Sequence, residues 1–432
     1  MTATGPTTPA MLSGAAWHRH VLRFLLVGSL AAVGLAVVVS WAFPEPPPLL
    51  AAALPLLGAL LTLWTTALLL LSLPLIVVFL IRSLLLFGVS RALARIGASA
   101  LVAHVVIATI LFWTIALLND VLLPRLVTPT PALLAAVQGG GSTGELAWAT
   151  PLASVDAVRA TASRAVLPVV LTSLAAGLVL AFALPGLGQR LASVLDRLGA
   201  RLLDAVYLLL IPVPLLLFGL AMRVGGGDAV EVIGALVAFV IYECVLIVAV
   251  GGLFYGAAAV IGGLGIRRFA SAMGPVYLAA ASSRSSYACI ALTTEAAERT
   301  GHFDPRTVEA SIPLFQVCFR SNRVFTSLIM FQFLALCFGL ELDRSIMVAF
   351  YLLAVFASIG SPGLPRQSRF TTLPMYVAAG VPTEAYLFVK STTEDIPDVF
   401  KTLLNVTYPV VLLAILQRLL KLTPQPQHES GG

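Results

Sequence analysis

The sequence predicts an all-α integral membrane protein. Of its 432 residues, 59% are hydrophobic and only 11% are charged, whereas a soluble domain carries about 25% charged residues. Apolar runs longer than about 18 residues recur and do not alternate with period two, which favours membrane helices over a β-barrel. Two polar interruptions in the later apolar segments indicate that these helices enclose a polar site.

The net charge of +6 is attributed to short loops and not to nucleic-acid binding. Cytoplasmic loops of membrane proteins are enriched in Lys and Arg. With the N-terminus inside, these loops hold the larger set of arginines: Arg91, Arg95, Arg190, Arg197, Arg201, Arg267 and Arg268, against Arg125, Arg159, Arg164 and Arg223. We therefore expect a multi-pass protein of the plasma (inner) membrane with both termini in the cytoplasm.

The first half of the chain is a succession of Leu/Ala/Val-rich runs. A Pro/Thr/Ala-rich tail precedes a run at about 21–43, which is too long for the core of a secretory signal. Further runs cover about 49–87 and 98–123, two stretches that end near Pro185 and Met222, and about 230–261. The connection after the third run contains Gly139–Ser142, which is typical of a flexible loop.

The first interruption places a hydroxyl cluster around a cation. Ser282, Ser283, Ser285 and Ser286 flank Arg284, between two half-length apolar pieces. Polar groups at bilayer depth are tolerated only inside protein or beside a wet cavity, and such breaks point to a transporter's binding site. The serines also fit a role as caps of a half-helix, which is compatible with anion binding there.

A second interruption, at residues 358–365, reads SIGSPGLP. Two breaks of this kind suggest two re-entrant hairpins that enter the membrane from opposite faces. The alternative is that both are ordinary loops between short interfacial helices.

Two later spans carry charge. Residues 319–323 read FRSNR in the middle of an apolar segment, where arginines are costly unless they face the protein interior. In the last span, four polar residues share one helix face because they are spaced by three, four and seven: Asp398, Lys401, Thr402 and Asn405.

These motifs resemble the dicarboxylate/amino acid:cation symporter family, the glutamate-transporter homologues. The resemblance covers nearly the whole chain in layout. Residues 282–286 resemble the tip of the first hairpin, 312–314 the start of the seventh span, 357–365 the tip of the second hairpin, and Asp398 with its neighbours up to residue 407 the substrate-binding eighth span.

The resemblance implies eight transmembrane helices plus two re-entrant helical hairpins, in an elevator-type transporter fold and a homotrimer. The implied order is a tail (1–16), scaffold helices 1–2 (17–88), transport-domain helix 3 (89–124), an outward loop (125–161), scaffold helices 4–5 (162–222), the rest of the transport domain (229–422) and a tail (423–432). Within 229–422 the resemblance places helix 6, hairpin 1 at about 265–301, helix 7 at about 308–338, hairpin 2 at about 345–380 and helix 8 at about 383–422.

The resemblance also implies the substrate site. The first tip contributes Arg284, Ser285 and Ser286, the second tip Ser361, Pro362 and Gly363, and the eighth span Asp398, Lys401, Thr402 and Asn405. Asp398 is expected to meet a substrate amino group or to pair with Arg284. Lys401 takes the place at which members that carry acidic substrates have an arginine for the distal carboxylate.

The sequence departs from the family where relatives bind sodium. The signature Asn-Met-Asp-Gly-Thr aligns with residues 319–323, so that Phe319 and Ser321 replace its asparagine and aspartate. In the eighth span, Pro409 stands where the family has an acidic residue. Polar positions of the family's third span align with Ile107 and Ala108. Sodium is implied by the family name, but these side chains offer it no carboxylate, and we expect no sodium coupling.

Basic side chains outnumber acidic ones near the predicted site: Arg284, Arg320, Arg323, Arg366, Arg369 and Lys401 stand against Glu394, Asp395 and Asp398. Since arginine matches carboxylate geometry bidentately, the excess indicates a small anionic cargo. We hypothesise that Arg320 or Arg323 supplies the positive charge that bound cations supply in relatives. The alternative is that these arginines pair with the nearby acids and only hold helices together.

Two further titratable residues lie in apolar spans. Glu243 either carries a proton or hydrogen-bonds a neighbouring helix, and we favour the second role. For His104 we favour a satisfied core residue over a proton relay.

The sequence therefore predicts a secondary transporter for an acidic amino acid or dicarboxylate, with no cofactor, catalytic residue or metal site. The alternatives are a sodium-independent exchanger and a non-translocating receptor (transceptor) on the same fold. An intramembrane enzyme is disfavoured because the sequence contains no HExxH and pairs no acid with histidine in a recognised spacing. An ATP-driven pump is disfavoured because it contains no P-loop.

Overall fold

The computed structural model describes residues 47–85, 91–126, 175–212, 229–359, 372–379 and 383–420, with isolated positions before and between these ranges. Apart from one isolated backbone bridge, the described residues form helices and turns, as the sequence predicts. The helices are α1 (Pro48–Leu85), α2 (Arg91–Leu126), α3 (Pro185–Leu210), α4 (Ala229–Val260), α5 (Ile266–Ser283), α6 (Ile290–Arg299), α7 (Pro305–Cys318), α8 (Ser321–Phe338), α9 (Arg344–Ser358), α10 (Leu373–Ala378), α11 (Thr383–Thr393) and α12 (Asp395–Leu419).

Several predicted features lie outside the described residues. They are the tails at 1–16 and 423–432, the Gly139–Ser142 loop, and the second interruption beyond Ile359 with Ser361, Pro362 and Gly363. The predicted domain boundaries and the count of eight spans stay predictions.

Four helices in the described part of the chain are long and apolar enough to cross a membrane, at 96–126, 231–260, 321–338 and 395–419. The outer face of α4 is a stripe of large apolar side chains at helical spacing, from Ile233 through Val237 and Ile241 to Val245, each about half exposed. A comparable stripe on α2 contains Val102, Val106 and Ile110. Apolar faces of this size require hydrocarbon around them, so the chain is an integral membrane protein.

The core centres on α8 and α12, which are buried along most of their length. Aromatic side chains fill it: Phe331 stacks on Phe350 at 4.0 Å and Phe239 on Phe333 at 4.4 Å. A buried polar chain runs through the same core, since the Tyr242 hydroxyl donates to Asn119 Oδ1 at 2.5 Å and Asn119 Nδ2 donates to Gln332 Oε1 at 2.7 Å. Stacking and hydrogen bonds therefore tie α2, α4, α8 and α9 into one body.

Aspartates at N-caps set where two helices begin. Asp304 accepts a hydrogen bond from the Thr307 N–H at 3.0 Å at the start of α7, and Asp343 accepts one from the Ile346 N–H at 2.8 Å at the start of α9. This N–H donation, with the Ser345 hydroxyl, holds the pKa of the exposed Asp343 carboxyl below its ordinary value. Each cap satisfies a backbone donor that the first turn leaves without a partner.

The predicted seventh span is not one continuous helix. The chain leaves the helical conformation at Phe319 (φ −120°, ψ 124°) and Arg320 (φ −115°, ψ 85°), which separates α7 from α8. Phe319 forms an antiparallel bridge with Ile359, and the Arg320 N–H donates to the Ser358 carbonyl at 2.8 Å. The end of α9 thus replaces the helical partner that Arg320 loses. The predicted eighth span is likewise divided at Glu394, into α11 and α12.

Candidate substrate site

One cavity gathers polar side chains from α8, α11 and α12, and from the turns that follow α5 and precede α8, α10 and α12. Its lining comprises Arg284, Ser286, Arg320, Asn322, Arg323, Thr326, Ser327, Thr372, Lys390, Glu394, Asp398, Lys401, Thr402 and Asn405. The sequence analysis predicts six of these at the substrate site, and it predicts Arg320 and Arg323 beside it. Ser285, also predicted there, is half-buried and is not among the lining residues.

The turn between α5 and α6 brings Arg284 to the cavity. Arg284 adopts φ 50°, the left-handed conformation with which helices commonly end, and its N–H donates to the Ala280 carbonyl. The guanidinium Nη1 lies 3.6 Å from Asp395 Oδ1. Asp395, at the start of α12, is one of the nearby acids that the sequence analysis weighed as partners of the arginines, and the pairing of Arg284 with Asp398 stays a prediction.

The break between α7 and α8 supplies two buried arginines. Arg320 is 2% exposed, its Nη1 contacts the Ser286 hydroxyl, and its guanidinium lies over the Tyr287 ring, 4.8 Å from the centroid. Arg323 follows in the first turn of α8 and is 8% exposed. Because a cation over an aromatic face is stabilised by the ring, Tyr287 helps to hold Arg320 in place.

The polar face of α12 forms the opposite wall. The Thr402 hydroxyl donates to the Asp398 carbonyl at 2.8 Å, one turn earlier. Asn405 Oδ1 is buried and has no hydrogen-bond partner within the described part of the chain. A buried amide oxygen in that state is a natural position for a ligand N–H or a water.

Lys401 is held by two carboxylates. Its Nζ lies 2.7 Å from Glu243 Oε1 and 3.3 Å from Glu394 Oε1, and Glu394 Oε2 also contacts Lys390. These four side chains are at most 5% exposed. The resemblance implied that Lys401 takes the place of an arginine that binds a distal carboxylate, but its ammonium is already paired with two glutamates. Glu243 makes the contact with a neighbouring helix that the sequence analysis favoured.

His104 lies next to the break and is a satisfied core residue. Its Nδ1 is 2.9 Å from the Tyr408 hydroxyl and its Nε2 is 2.8 Å from Ser358 Oγ. The imidazole stacks on Phe319 at 4.8 Å. The Phe319 ring, at the position that the resemblance aligns with an asparagine, therefore packs against His104.

Sequence reasoning missed Asn322, Thr326, Ser327, Thr372 and Lys390. Two of these carried a readable signal. Lys390 precedes Glu394 by four residues and Glu394 precedes Lys401 by seven, so the three share one face of a helical segment. Thr326 follows Arg323 by three residues and shares its face of α8. Thr372 reaches the cavity only through tertiary packing.

The chain matches one family model over most of its length and individual relatives over little more than a third. The family model described as "Sodium:dicarboxylate symporter family" matches residues 25–419. The chain is 25% identical over 165 residues, 38% of this chain and 32% of the relative, to "Putative sodium-dependent excitatory amino acid transporter glt-4" of Caenorhabditis elegans. It is 27% identical over 154 residues, 36% of this chain and 29% of the relative, to "Excitatory amino acid transporter 3" of Mus musculus. The aligned part thus spans about a third of the length of these curated relatives.

Proposed function

Because the chain belongs to the sodium:dicarboxylate symporter family, we propose that it is a secondary transporter for a small organic anion, such as an acidic amino acid or a dicarboxylate. The observation that carries this proposal is the pair of buried arginines on the cavity wall, Arg320 and Arg323. Guanidinium groups in a buried cavity favour carboxylate ligands. The names of the two relatives point to the same class of cargo.

The roles proposed for individual residues follow from their places on the cavity wall. Arg320 and Arg323 bind substrate carboxylates, and Asp398 meets a substrate amino group. Thr402 and Asn405 complete the site with a hydroxyl and an amide. Ser361, Pro362 and Gly363 stay predicted members of a gate, and the elevator movement and the homotrimer stay predictions from the family resemblance.

We further propose that uptake is independent of sodium. Side-chain carboxylates and amides that would bind a cation are replaced by Phe319 and Ser321, and the Phe319 ring stacks on His104. The buried guanidinium of Arg320, next along the chain, repels a cation at this depth. Arg320 then supplies the fixed positive charge that a bound ion supplies in relatives.

Reconstitution in liposomes tests the transport proposal. Vesicles loaded with unlabelled L-aspartate or succinate are placed in trace labelled substrate, with sodium or choline as the external cation. We expect label to accumulate by counterflow, with rates in the two cations within about twofold, because a cation that does not bind the protein shifts no equilibrium. A strong sodium requirement contradicts the sodium proposal. Binding without counterflow favours the receptor, which the altered cation motif makes the second candidate.

A further inference from the structure

We propose that a second cavity, at the surface of the membrane, binds the phosphate group of an anionic phospholipid. This interfacial pocket lies where the turn after α4 leads into α5, and its wall includes Gly263, Gly265, Arg267, Arg268, Ser271 and His302. None of its lining residues belongs to the substrate cavity. The inference is therefore independent of the proposed transport function.

Three segments of the chain form the frame of the interfacial pocket. The His302 Nε2–H donates to the Gly262 carbonyl at 3.1 Å, and the His302 carbonyl accepts from Gln417 Nε2 at 3.0 Å. These bonds join the end of α4, the turn after α6 and the last turns of α12. Gly263 has φ 74°, and a Cβ on Gly265 would meet nothing within 4 Å. The turn thus leaves an open volume of about 670 Å³ beside this frame.

The wall of the interfacial pocket carries positive charge, and its lining contains no aspartate or glutamate. Arg267 and Arg268 are exposed in the first turn of α5, and Arg268 Nη1 donates to the Thr300 carbonyl at 3.2 Å. Arg418 adds a third guanidinium at the edge, because a Cβ on Gly263 would lie 3.3 Å from its Nη1. Guanidinium groups bind phosphate oxygens through paired hydrogen bonds. Their convergence on one volume therefore favours a phosphate ester as the ligand.

The position of the interfacial pocket indicates that this phosphate belongs to a lipid. The spanning helices at 231–260 and 395–419 both end beside it, which places it at the level of the lipid headgroups. Large apolar side chains adjoin it and are between 47% and 79% exposed: Val260, Ile261, Ile266 and Leu419. A soluble phosphate ester would leave these side chains uncovered, whereas the acyl chains of a phospholipid cover them.

The ordinary role of such arginines, to fix the orientation of the chain, explains only part of this arrangement. That role needs positive charge in a cytoplasmic loop, but it needs neither a cavity nor a hydroxyl such as that of Ser271 in its wall. The sequence predicts that Arg267 and Arg268 face the cytoplasm, and the cytoplasmic leaflet is the one that holds anionic lipids. We therefore assign the pocket to a phospholipid with net negative charge, such as phosphatidylglycerol.

Binding by the purified full chain in neutral detergent tests the proposal with three probes. They are short-chain phosphatidylglycerol, phosphatidylcholine with the same acyl chains, and glycerol phosphate. Their dissociation constants are measured from the shift of the thermal unfolding midpoint. Phosphatidylglycerol should bind at least about tenfold more tightly than either other probe, because it alone combines a net negative charge with acyl chains.

Two variants at exposed positions locate the site. Arg267→Gln should weaken phosphatidylglycerol binding by about fivefold, the effect of one basic residue at a lipid surface. Ser271→Glu keeps both arginines and adds a carboxylate to the wall, so it should weaken binding by at least about fivefold as well. Arg299→Gln is the matched control, since Arg299 is exposed in the last turn of α6, close to the Thr300 that Arg268 contacts, but outside the pocket. This control should bind like the wild type.

Several results would overturn the inference. Equal affinity for the two phospholipids would mean that charge plays no part, and an equal loss in Arg299→Gln and Arg267→Gln would mean that any basic surface attracts the lipid. Glycerol phosphate that binds as tightly as phosphatidylglycerol would assign the pocket to a soluble ester. Each result leaves the proposed transport function intact, because that function is tested with organic anions at the other cavity.

Discussion

At the residue scale, Asp398 separates two classes of anionic cargo. Its side chain lies on the cavity wall formed by α12, one turn before Thr402. The Asp398 carboxylate forms no favourable contact with a dicarboxylate, but it can accept a hydrogen bond from the ammonium of an amino acid. L-Aspartate and succinate share a carbon skeleton and differ by that amino group, so the pair isolates its contribution.

We expect Asp398→Asn to weaken L-aspartate binding by about 10- to 100-fold, the loss of one hydrogen bond between charged groups. Succinate binding should change by less than about threefold, because no bond to an ammonium is lost. Thermal-shift titration of the purified variant measures both constants. Asp343→Asn is the control, since Asp343 is an exposed cap of α9 away from the cavity. Equal weakening of the two ligands would assign Asp398 to the structure of the wall.

The sequence predicts which arginines are internal but not what they touch. Arg320 and Arg323 had to be buried because they interrupt an apolar segment, and both line the cavity. The contact between Lys401 and Glu243 could not be predicted from the sequence. Glu243 meets it only because α4 packs against α12, and nothing local in either segment specifies that contact. Lys390 was missed because a lysine near the start of a predicted span has the ordinary appearance of an interfacial residue.

At the element scale, the break between α7 and α8 shows where local sequence reasoning fails. Neither Phe319 nor Arg320 is a helix breaker, and no glycine or proline adjoins them. The break is stable because Ser358, at the end of α9, accepts the Arg320 N–H. A tertiary partner thus decides the conformation of the segment that carries the two buried arginines.

The close approach of α4 and α12 gives a prediction about packing. A Cβ placed on Gly262, just after α4, would lie 2.6 Å from the Ala258 carbonyl oxygen and 2.7 Å from Ala414 Cβ, whereas a Cβ on Gly256 within α4 would meet nothing within 4 Å. Gly262→Ala should therefore destabilise the protein by about 1 to 3 kcal/mol through overpacking. Gly256→Ala should be neutral or stabilising by up to about 1 kcal/mol, since alanine is the better helix former.

Thermal unfolding of both glycine variants in one detergent measures the difference. A midpoint for Gly262→Ala equal to that of Gly256→Ala would mean that the helices separate at this point without cost. Because the contact lies at the end of α4, anion affinity at the cavity should be kept in both variants.

At the scale of the whole molecule, the family could be predicted from four short motifs, and the family match confirms it. The membrane-embedded character followed from the low share of charged residues, and the helical character followed from the length of the apolar runs. What composition and motifs could not provide is the arrangement of α8, α11 and α12 around one cavity. That arrangement depends on contacts between segments that are distant in the chain, such as Tyr242 with Asn119 and Gln332.

The apolar stripes on α2 and α4 also have a consequence for the lipid. The spanning parts of these helices contain 31 and 30 residues, or about 45 Å each at about 1.5 Å per residue, against a hydrocarbon layer of about 30 Å. The surplus has to be met by tilt or by local thickening of the bilayer, at a modest cost for each ångström of mismatch. The acyl-chain length of the lipid should consequently change the rate of transport by this protein.

We expect counterflow to be several-fold slower in vesicles of short-chain lipids than in long-chain ones, while the dissociation constant for the same anion stays the same. The cavity is lined by protein, so anion binding should not depend on bilayer thickness. Any movement of α2 and α4 relative to the lipid should depend on it. Vesicles that differ only in chain length, with equal protein content, measure both quantities. Equal rates would mean that α2 and α4 keep the same tilt and position in the bilayer throughout the transport cycle.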